Sequence, residues 1–233
     1  MSKEITSAHV TQATPLTRNL LHVTLAPEHY IPYESGQYLH VISSTETLYY
    51  SIANAPLGSH TYELHIRHTP GNIEHQHILN PITQLGRVII NVPFGQCTLK
   101  TLDPYRPIIF VAGGTGFAPI KAMIETLLTE GDTRPFELYW SARCQEDLYL
   151  NEHVLTWQKH IDHFDYIPHI TTPNQATLFE RIQKKHPYDL TDYQIVLAGP
   201  FDLVYSLRDD LIQQGLSQNQ LFSDAFDLET KKV

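Results

Sequence analysis

The sharpest chemical signal in the sequence is a glycine-rich loop between an apolar run and a segment with helical spacing. The segment consists of Val111, Ala112, Gly113, Gly114, Thr115, Gly116 and, in the first turn of the helix, Pro119. Glycines let a backbone approach a ligand closely, and the start of the following helix favours a negative charge. The G-x-G-x-x-G fingerprint is not matched, because Pro119 stands where its third glycine would be. The strand-loop-helix context still favours a pyrophosphate site over a simple chain reversal.

Two further apolar runs end in residues that suit a nucleotide site. Ser141 and Arg143 follow one run, and Gly199-Pro200 follows another. Ligands of open α/β sheets bind outside the carboxyl ends of the strands, so these positions predict one cleft with the glycine-rich loop. An arginine at this place accommodates the 2′-phosphate of NADPH, yet NADH stays open. A solvent-exposed helix cap is an equal interpretation of Arg143.

A third candidate lies in the first half of the chain, around Tyr50-Ser51. A serine hydroxyl both donates and accepts a hydrogen bond. On a strand that faces a cleft, Ser51 could bond a ring nitrogen of a flat cofactor while Tyr50 packs on the ring. Taken alone, this segment is much more typical of an ordinary half-buried strand.

The first hundred residues, which carry Ser51, have the pattern of β structure. Short runs rich in Val, Ile, Tyr and Thr are separated by Pro and Gly, which is typical of a sandwich or barrel. The predicted strands are residues 5–11, 19–25, 37–43, 47–53, 61–68 and 87–92, with a helical interruption at 72–79.

The second half alternates between strands and helices. This alternation predicts a parallel sheet with helices on both faces. The predicted strands are residues 107–112, 136–141, 166–171 and 194–198, with 221–226 as a short final strand or tail. The predicted helices follow the glycine-rich loop as far as Gly131 and then cover residues 146–161, 176–185 and 202–214. The pattern changes at 100–106, which predicts domains at 1–102 and 103–233.

Composition narrows the function classes. The 233 residues carry 16 Lys and Arg against 25 Asp and Glu, a net charge of −9, with no basic stretch. Nucleic acid and anionic membranes are therefore not expected partners. Two cysteines are too few for an iron–sulfur cluster, and the 14 histidines show no ligand spacing, so no metal site is expected. No apolar run is long enough to span a bilayer, and a cytoplasmic protein is expected.

Taken together, the segments resemble the ferredoxin–NADP reductase superfamily, and more closely its NAD(P)H-flavin reductase branch. The resemblance covers nearly the whole chain, and its elements occur in the family's order. The matching segments are residues 34–38, 50–53, 63–67, 92–95, 113–116, 139–143, 147–149, 198–200 and 222–226.

The resemblance implies a fold, two ligands and a set of site residues. The expected fold is an antiparallel Greek-key β-barrel that binds flavin, followed by an NAD(P)-binding α/β domain. Ser51 is the candidate catalytic residue beside the flavin, and the nicotinamide is expected near Gly199 and Pro200. The implied flavin-binding residues are Tyr50, Ser51, Ile52, Ala53, His65, Ile66, Arg67, Phe94, Gly95 and Phe226.

One departure from the family concerns how tightly the flavin is held. The family usually has an arginine three residues before the serine, where it grips a flavin phosphate, and this chain has Leu48. Arg67 is a possible substitute. We therefore expect a loosely bound riboflavin, FMN or FAD that is reduced by NADH or NADPH and serves downstream acceptors. The alternatives are a flavoprotein reductase that passes electrons to a protein partner such as an oxygenase, and a nucleotide sensor without turnover.

Overall fold

The computed structural model describes residues 3–43, 46–68, 79–173 and 175–226. The chain divides into two compact units. The first comprises Met1–Lys100 together with Ala118–Gly131, and the second comprises Thr101–Phe117 together with Asp132–Val233. The helix that follows the glycine-rich loop thus belongs to the first unit, although the loop belongs to the second. A boundary at residue 102 stays a prediction.

The first unit is built on a six-stranded antiparallel sheet with the order β4-β3-β6-β1-β2-β5. An isolated bridge between Ile52, directly after β4, and Leu64 of β5 connects the two edges of the sheet, as in a barrel. In this sheet β6 lies between β3 and β1, which is the Greek-key arrangement that the family resemblance predicts. The strands are β1 Glu4–Thr17, β2 Leu20–Pro27, β3 Tyr38–Ile42, β4 Thr47–Ser51, β5 Tyr62–Arg67 and β6 Arg87–Phe94.

Alternating apolar residues hold the barrel together. In β2, Val23 and Leu25 are fully buried while the intervening Thr24 is half-buried, and β3 buries Leu39 and Val41 in the same way. Each such side chain contributes about 1.5–3 kcal/mol when it leaves water. Most of the predicted helical interruption at 72–79 lies outside the described residues, and residues 79–83 are helical.

The second unit is built on a five-stranded parallel sheet with the order β11-β10-β7-β8-β9. Every residue of β7 and β8 is buried, which accounts for the continuous apolar sequence of β7. The buried Glu137 of β8 is paired with Lys185. The strands are β7 Ile108–Gly113, β8 Phe136–Ala142, β9 Phe164–Ile170, β10 Gln194–Ala198 and β11 Leu221–Phe222.

Helices cover both faces of this sheet, as the alternating pattern predicts. Apolar residues of α3 and α4 pack with Ile109 and Leu197 on one face, whereas Trp157 of α2 contacts the rings of Phe117 and Phe164 on the other. The helices are α1 Phe117–Glu130, α2 Asn151–His160, α3 Leu178–Lys185 and α4 Phe201–Gln213. None of them is both long and apolar enough to cross a membrane.

The predicted helix at 146–161 is wrong over its first turn. Residues Gln145–Asp147 form a short 3₁₀ turn, and α2 begins only at Asn151. Leu148 has φ −83° and ψ 59°, which lies outside the helical region and interrupts the helix. The Leu148 side chain is buried, and its packing favours this non-helical backbone.

Candidate functional site

The parallel sheet brings three of the predicted nucleotide segments to one edge. In the register of the strands, Ala112 lies beside Ala198, and Gly113 lies beside Ser141. The loops after β7, β8 and β10 therefore leave the sheet at the same edge, its carboxyl edge. This is the place where open α/β sheets bind their ligands.

Three glycines at this edge are required by the packing of the chain against itself. A Cβ added to Gly116 would lie 2.1 Å from the Ala198 carbonyl oxygen, and one added to Gly113 would lie 2.9 Å from Pro200 Cδ. Gly199 has φ +149°, and its added Cβ would lie 2.9 Å from the Gly113 nitrogen. The loops after β7 and β10 thus touch backbone to backbone. At Gly113 and Gly116 the space that a side chain would need is occupied by protein.

Gly114 differs from Gly113 and Gly116, because its backbone is in the left-handed region with φ +53°. Its carbonyl oxygen accepts a hydrogen bond of 3.0 Å from the Trp140 indole nitrogen. Trp140 is fully buried, and its ring stacks on Phe117 at a centroid distance of 3.9 Å. Sequence reasoning missed this role of Trp140. The only signal was its position one residue before Ser141, at the end of the strand.

The end of β8 presents polar groups at the same edge. The Ser141 hydroxyl lies 3.2 Å from the Thr171 hydroxyl, which follows β9. His169, opposite Ser141 in the register, is 4% exposed, and its Nδ1 has no hydrogen-bond partner among the described residues. A buried polar atom without a partner is costly, so a ligand that supplies one would fit here. Burial and then the charge of Arg181 hold the His169 pKa below its usual value.

The remaining nucleotide candidates occupy distinct positions in the second unit or at the start of α1. Val111 and Ala112 are buried in β7, so a ligand can reach only their backbone. Pro119 is buried in the first turn of α1, and Pro200 is exposed at the start of α4. The Arg143 side chain is 80% exposed, with an ion pair of 3.3 Å to Asp147. Such an exposed ion pair contributes little to stability.

Ser51, the candidate catalytic residue, is half-buried at the end of β4 opposite Tyr38. None of the hydrogen bonds among the described residues uses its hydroxyl, which leaves that group able to bond a ligand. Tyr50 is half-buried and packs against the barrel core. Burial raises the pKa of Tyr50 to about 12, so its hydroxyl stays protonated at neutral pH.

Several of the other flavin candidates can offer a ligand only limited contact. Ile52, Ala53 and Ile66 are fully buried, so only their backbone is within reach of a ligand. His65 is 6% exposed, and burial together with the charge of Lys121 lowers its pKa to about 3, which keeps the imidazole neutral. Arg67 is exposed at the end of β5.

Phe94 and Gly95 lie at the end of β6. The Phe94 ring stacks on His40 at 3.6 Å and on Tyr38 at 5.6 Å, and Tyr38 is the register partner of Ser51. Gly95 has φ +99°, a conformation that favours glycine. The structure therefore brings Phe94 and Ser51 to neighbouring positions around Tyr38.

Phe226, which the family resemblance places among the flavin-binding residues, packs within the second unit. Its ring lies 6.3 Å from the ring of Tyr205, and the guanidinium of Arg208 lies 5.5 Å from its centroid. The Tyr205 hydroxyl donates to the Ala225 carbonyl at 2.8 Å. These contacts fix the chain just before residue 226. A role of Phe226 beside the flavin stays a prediction.

A charged cluster on the barrel was not predicted from the sequence. Glu63 on β5 lies 3.3 Å from His22 Nε2 and 3.5 Å from the ammonium of Lys121. The His22 hydrogen bond, aided by Lys121, outweighs the effect of burial and lowers the pKa of Glu63 to about 2. Among the described residues, no three His, Cys, Asp or Glu side chains form a group that could hold a metal ion.

We expect Glu63→Gln to reduce stability at neutral pH and to flatten its dependence on acid pH. The carboxylate has a lower pKa in the folded chain than its ordinary 4.5, so its stabilising contribution is present above pH 4.5 and is lost as pH falls towards 2. Urea-unfolding midpoints in steps from neutral to acid pH measure this, with the exposed Glu130→Gln as control. An acid dependence identical to that of the wild type would contradict the assignment.

Comparison with known proteins agrees with this architecture. The oxidoreductase NAD-binding domain family matches residues 110–209, which include the loops after β7, β8 and β10. A solved ferredoxin reductase in carbazole 1,9a-dioxygenase superposes with a TM-score of 0.80 at 21% identity, over 97% of this chain and 70% of that chain. At that identity the likeness shows the fold.

Two curated relatives differ in how much of their length is matched. Reductase component 1 of terephthalate 1,2-dioxygenase from Comamonas is 34% identical over 215 residues, which are 89% of this chain and 63% of that protein. A probable flavin reductase from Vibrio harveyi is 27% identical over 223 residues, which are 91% of this chain and 95% of that protein.

The chain spans somewhat less than two thirds of the length of the curated reductases that it matches at 32–34% identity. The segment that matches the NAD-binding domain family lies mostly in the second unit and also includes residues 118–131 of the first. The chain therefore has the ferredoxin reductase-like fold, and its residues 110–209 are similar to the oxidoreductase NAD-binding domain family.

Proposed function

We propose that this protein is an NAD(P)H-dependent flavin oxidoreductase that delivers electrons to a protein acceptor. One observation carries the proposal. Three strand ends of the second unit converge at a glycine-rich loop, within a segment that matches the NAD-binding domain family. When bound, a flavin accepts a hydride equivalent from a reduced nicotinamide and passes the electrons on.

The second unit would bind the nucleotide at the carboxyl edge of its sheet. The left-handed backbone at Gly114 and the start of α1 suit a pyrophosphate. The hydroxyls of Ser141 and Thr171 and the unpartnered Nδ1 of His169 would bond the more polar parts of the nucleotide. Both NADH and NADPH remain candidates, because Arg143 is exposed and already paired with Asp147.

The first unit would bind the flavin along the end of β4. The Ser51 hydroxyl would donate to, or accept from, a ring nitrogen and so orient the ring. Tyr50 and Phe94 would provide aromatic contacts beside it. Much of the catalysis would then consist of positioning, since the cofactors supply the redox chemistry. FAD, FMN and riboflavin remain the candidate flavins.

The protein acceptor is supported by the relatives with 32–34% identity, which are reductases of a dehydrase and of a dioxygenase. The sequence-based preference for a reductase of free flavin has weaker support. We therefore place the transfer of electrons to a protein first, with an oxygenase as the candidate partner class.

Reduction of free flavin is the second candidate function. Leu48 stands where the family usually has a phosphate-binding arginine, and it is half-buried against the barrel core. The Vibrio harveyi relative, a probable flavin reductase, is matched over 95% of its length. Without the arginine, the flavin would lose a charge-assisted contact and would exchange with solution.

A single set of measurements separates the two functions. We expect the purified protein to be yellow, to keep its flavin through gel filtration and to oxidise NADH or NADPH when a protein electron acceptor is supplied. A colourless protein that oxidises NAD(P)H only with added flavin, at a rate that saturates with the flavin, would support the second function. A protein that binds NAD(P)H but never oxidises it would contradict both.

We expect Gly114→Val to raise the Michaelis constant for the nucleotide while the protein stays folded. A β-branched residue at φ +53° is strained by about 1–3 kcal/mol, which would change KM by roughly tenfold if the loop cradles the pyrophosphate. Steady-state kinetics with varied NADH and NADPH measure the change. The control is Gly58→Val, since Gly58 has φ +74° and no neighbour within 4 Å of its added Cβ. An unchanged KM in Gly114→Val would mean that the loop does not bind phosphate.

A further inference from the structure

The segment that follows Ser51 is held by side chains from helix α1. The ammonium of Lys121 donates to the Ala53 carbonyl at 3.0 Å, and the Glu125 carboxylate accepts from the Ala55 amide at 3.3 Å. Lys121 and Glu125 are one helical turn apart and form an ion pair of 2.7 Å. Two successive turns of α1 therefore bond the backbone on either side of residue 54.

Lys121 is an unusual residue for this place in the helix. It is 7% exposed, and its neighbours Ile120, Ala122 and Ile124 are buried apolar residues. Lysine is almost never this buried unless it is paired. Here two carboxylates, from Glu125 at 2.7 Å and from Glu63 at 3.5 Å, compensate its charge. An apolar residue of similar volume would pack without these partners, so packing alone does not explain a lysine.

Other backbone and side-chain groups of Ala53 and Asn54 are also hydrogen-bonded. The Ala53 amide donates to the Glu63 carbonyl at 2.7 Å. The Tyr33 hydroxyl donates to the Asn54 carbonyl at 2.8 Å, and the Asn54 side-chain amide donates to the Thr61 carbonyl at 3.1 Å. Within this network, the Ala53 carbonyl has Lys121 as its side-chain donor. Loss of the ammonium would therefore leave Ala53, two positions from Ser51, held by its amide and without the hydrogen bond to its carbonyl.

We propose that Lys121 is a positioning residue that holds the Ala53 carbonyl and thereby fixes the Ser51 end of β4 for the flavin. The proposal rests on the proposed function, in which Ser51 contacts the flavin ring. Lys121 itself touches no ligand in this scheme. Its ammonium acts through the backbone of residues 53–55, and the ion pairs with Glu125 and Glu63 help to direct the ammonium at that carbonyl.

Lys121→Met tests the proposal, because methionine keeps much of the apolar stem and removes the ammonium. We expect the flavin dissociation constant, measured by quenching of flavin fluorescence, to rise about tenfold or more, as for loss of one hydrogen bond to a charged group. The kcat of NAD(P)H oxidation should fall by a similar factor, while the KM for the nucleotide stays within about twofold because the Gly113–Gly116 loop is unchanged. Lys121→Arg, which keeps a cationic donor, should recover most of both losses.

A matched control separates positioning from stability. The Thr126 hydroxyl is buried in the same helix, and within the described part of the chain it bonds only the Ala122 carbonyl, at 2.8 Å. We expect Thr126→Ala to lower the unfolding midpoint while flavin affinity and kcat per folded molecule stay unchanged. Should Lys121→Met not fold, Lys121→Met combined with Glu125→Gln removes the unbalanced carboxylate, and the same flavin titration is made on that protein.

Two results would overturn the proposal. One is an unchanged flavin dissociation constant and kcat in Lys121→Met or in the double variant. The other is a loss that follows only the folded fraction, as in Thr126→Ala. A wild-type protein that binds flavin but never oxidises NAD(P)H would contradict the proposed function instead, and the flavin titration would still decide whether Lys121 shapes the flavin site.

Discussion

Gly116→Ala is expected to destabilise the second unit by at least about 3 kcal/mol, the upper end of the usual cost of overpacking. The added Cβ would lie 2.1 Å from the Ala198 carbonyl oxygen, 2.4 Å from its carbonyl carbon and 2.6 Å from the Gly199 nitrogen. All three are backbone atoms of the neighbouring strand end, so no side chain can rotate away. Such a loss lowers the ratio of folded to unfolded protein roughly a hundredfold. Urea-unfolding midpoints measure it directly.

A second glycine provides the control for this prediction. Gly86, like Gly116, has a backbone conformation open to other residues, and its added Cβ would approach the Pro81 carbonyl oxygen only to 3.1 Å. We expect Gly86→Ala to change stability by less than about 1 kcal/mol, since a small adjustment of the neighbour is enough. If Gly116→Ala unfolds at the wild-type urea concentration, the contact between the two loops is looser than the structure indicates.

Ser51→Ala is expected to lower kcat for flavin reduction about tenfold with the fold intact. The hydroxyl is half-buried and makes no hydrogen bond among the described residues, so its removal leaves no protein group unpaired. The loss would come from one hydrogen bond to the flavin ring, which is worth about 1–1.5 kcal/mol. Rapid mixing of the flavin-loaded protein with NADH or NADPH measures this step.

The matched control is Ser7→Ala, because Ser7 is also half-buried on a strand of the same barrel. Its variant should reduce flavin at the wild-type rate. We further expect Ser51→Ala to keep the nucleotide KM, since the nucleotide candidates lie in the second unit or at the start of α1. A Ser51→Ala protein with undiminished turnover would remove Ser51 from the proposed mechanism.

The sequence predicted the second unit most successfully where a strand is buried on both faces. The strand at 194–198 is confirmed without change, because a short apolar run between turn residues leaves little choice of length. The helix predicted at 146–161 was wrong at its start, since apolar spacing does not reveal that Leu148 is buried in a non-helical conformation. The spacing of apolar residues predicts that a helix is present, but tertiary packing decides at which residue it begins.

In the candidate site too, the sequence predicted some features and tertiary packing decided others. Glycines at 113, 116 and 199 could be recognised from the sequence, but their separation along the chain hides that two of them meet backbone to backbone. Trp140 as the donor to the Gly114 carbonyl was also hidden, because the sequence shows only a strand residue. A glycine-rich loop can be recognised from a few neighbouring residues. The contacts that require each glycine are made with segments far away along the chain.

By itself, the sequence determined the order of strands and helices and the two classes of domain, and it marked three strand ends as candidate ligand sites. These follow from the spacing of apolar residues and from turn residues, which act over a few positions. Only the tertiary structure decided that Lys121 is buried against Ala53 and Glu63, residues that are 68 and 58 positions away. The physical reason is that a buried charge is stable only beside its partners, and the fold alone brings those partners together.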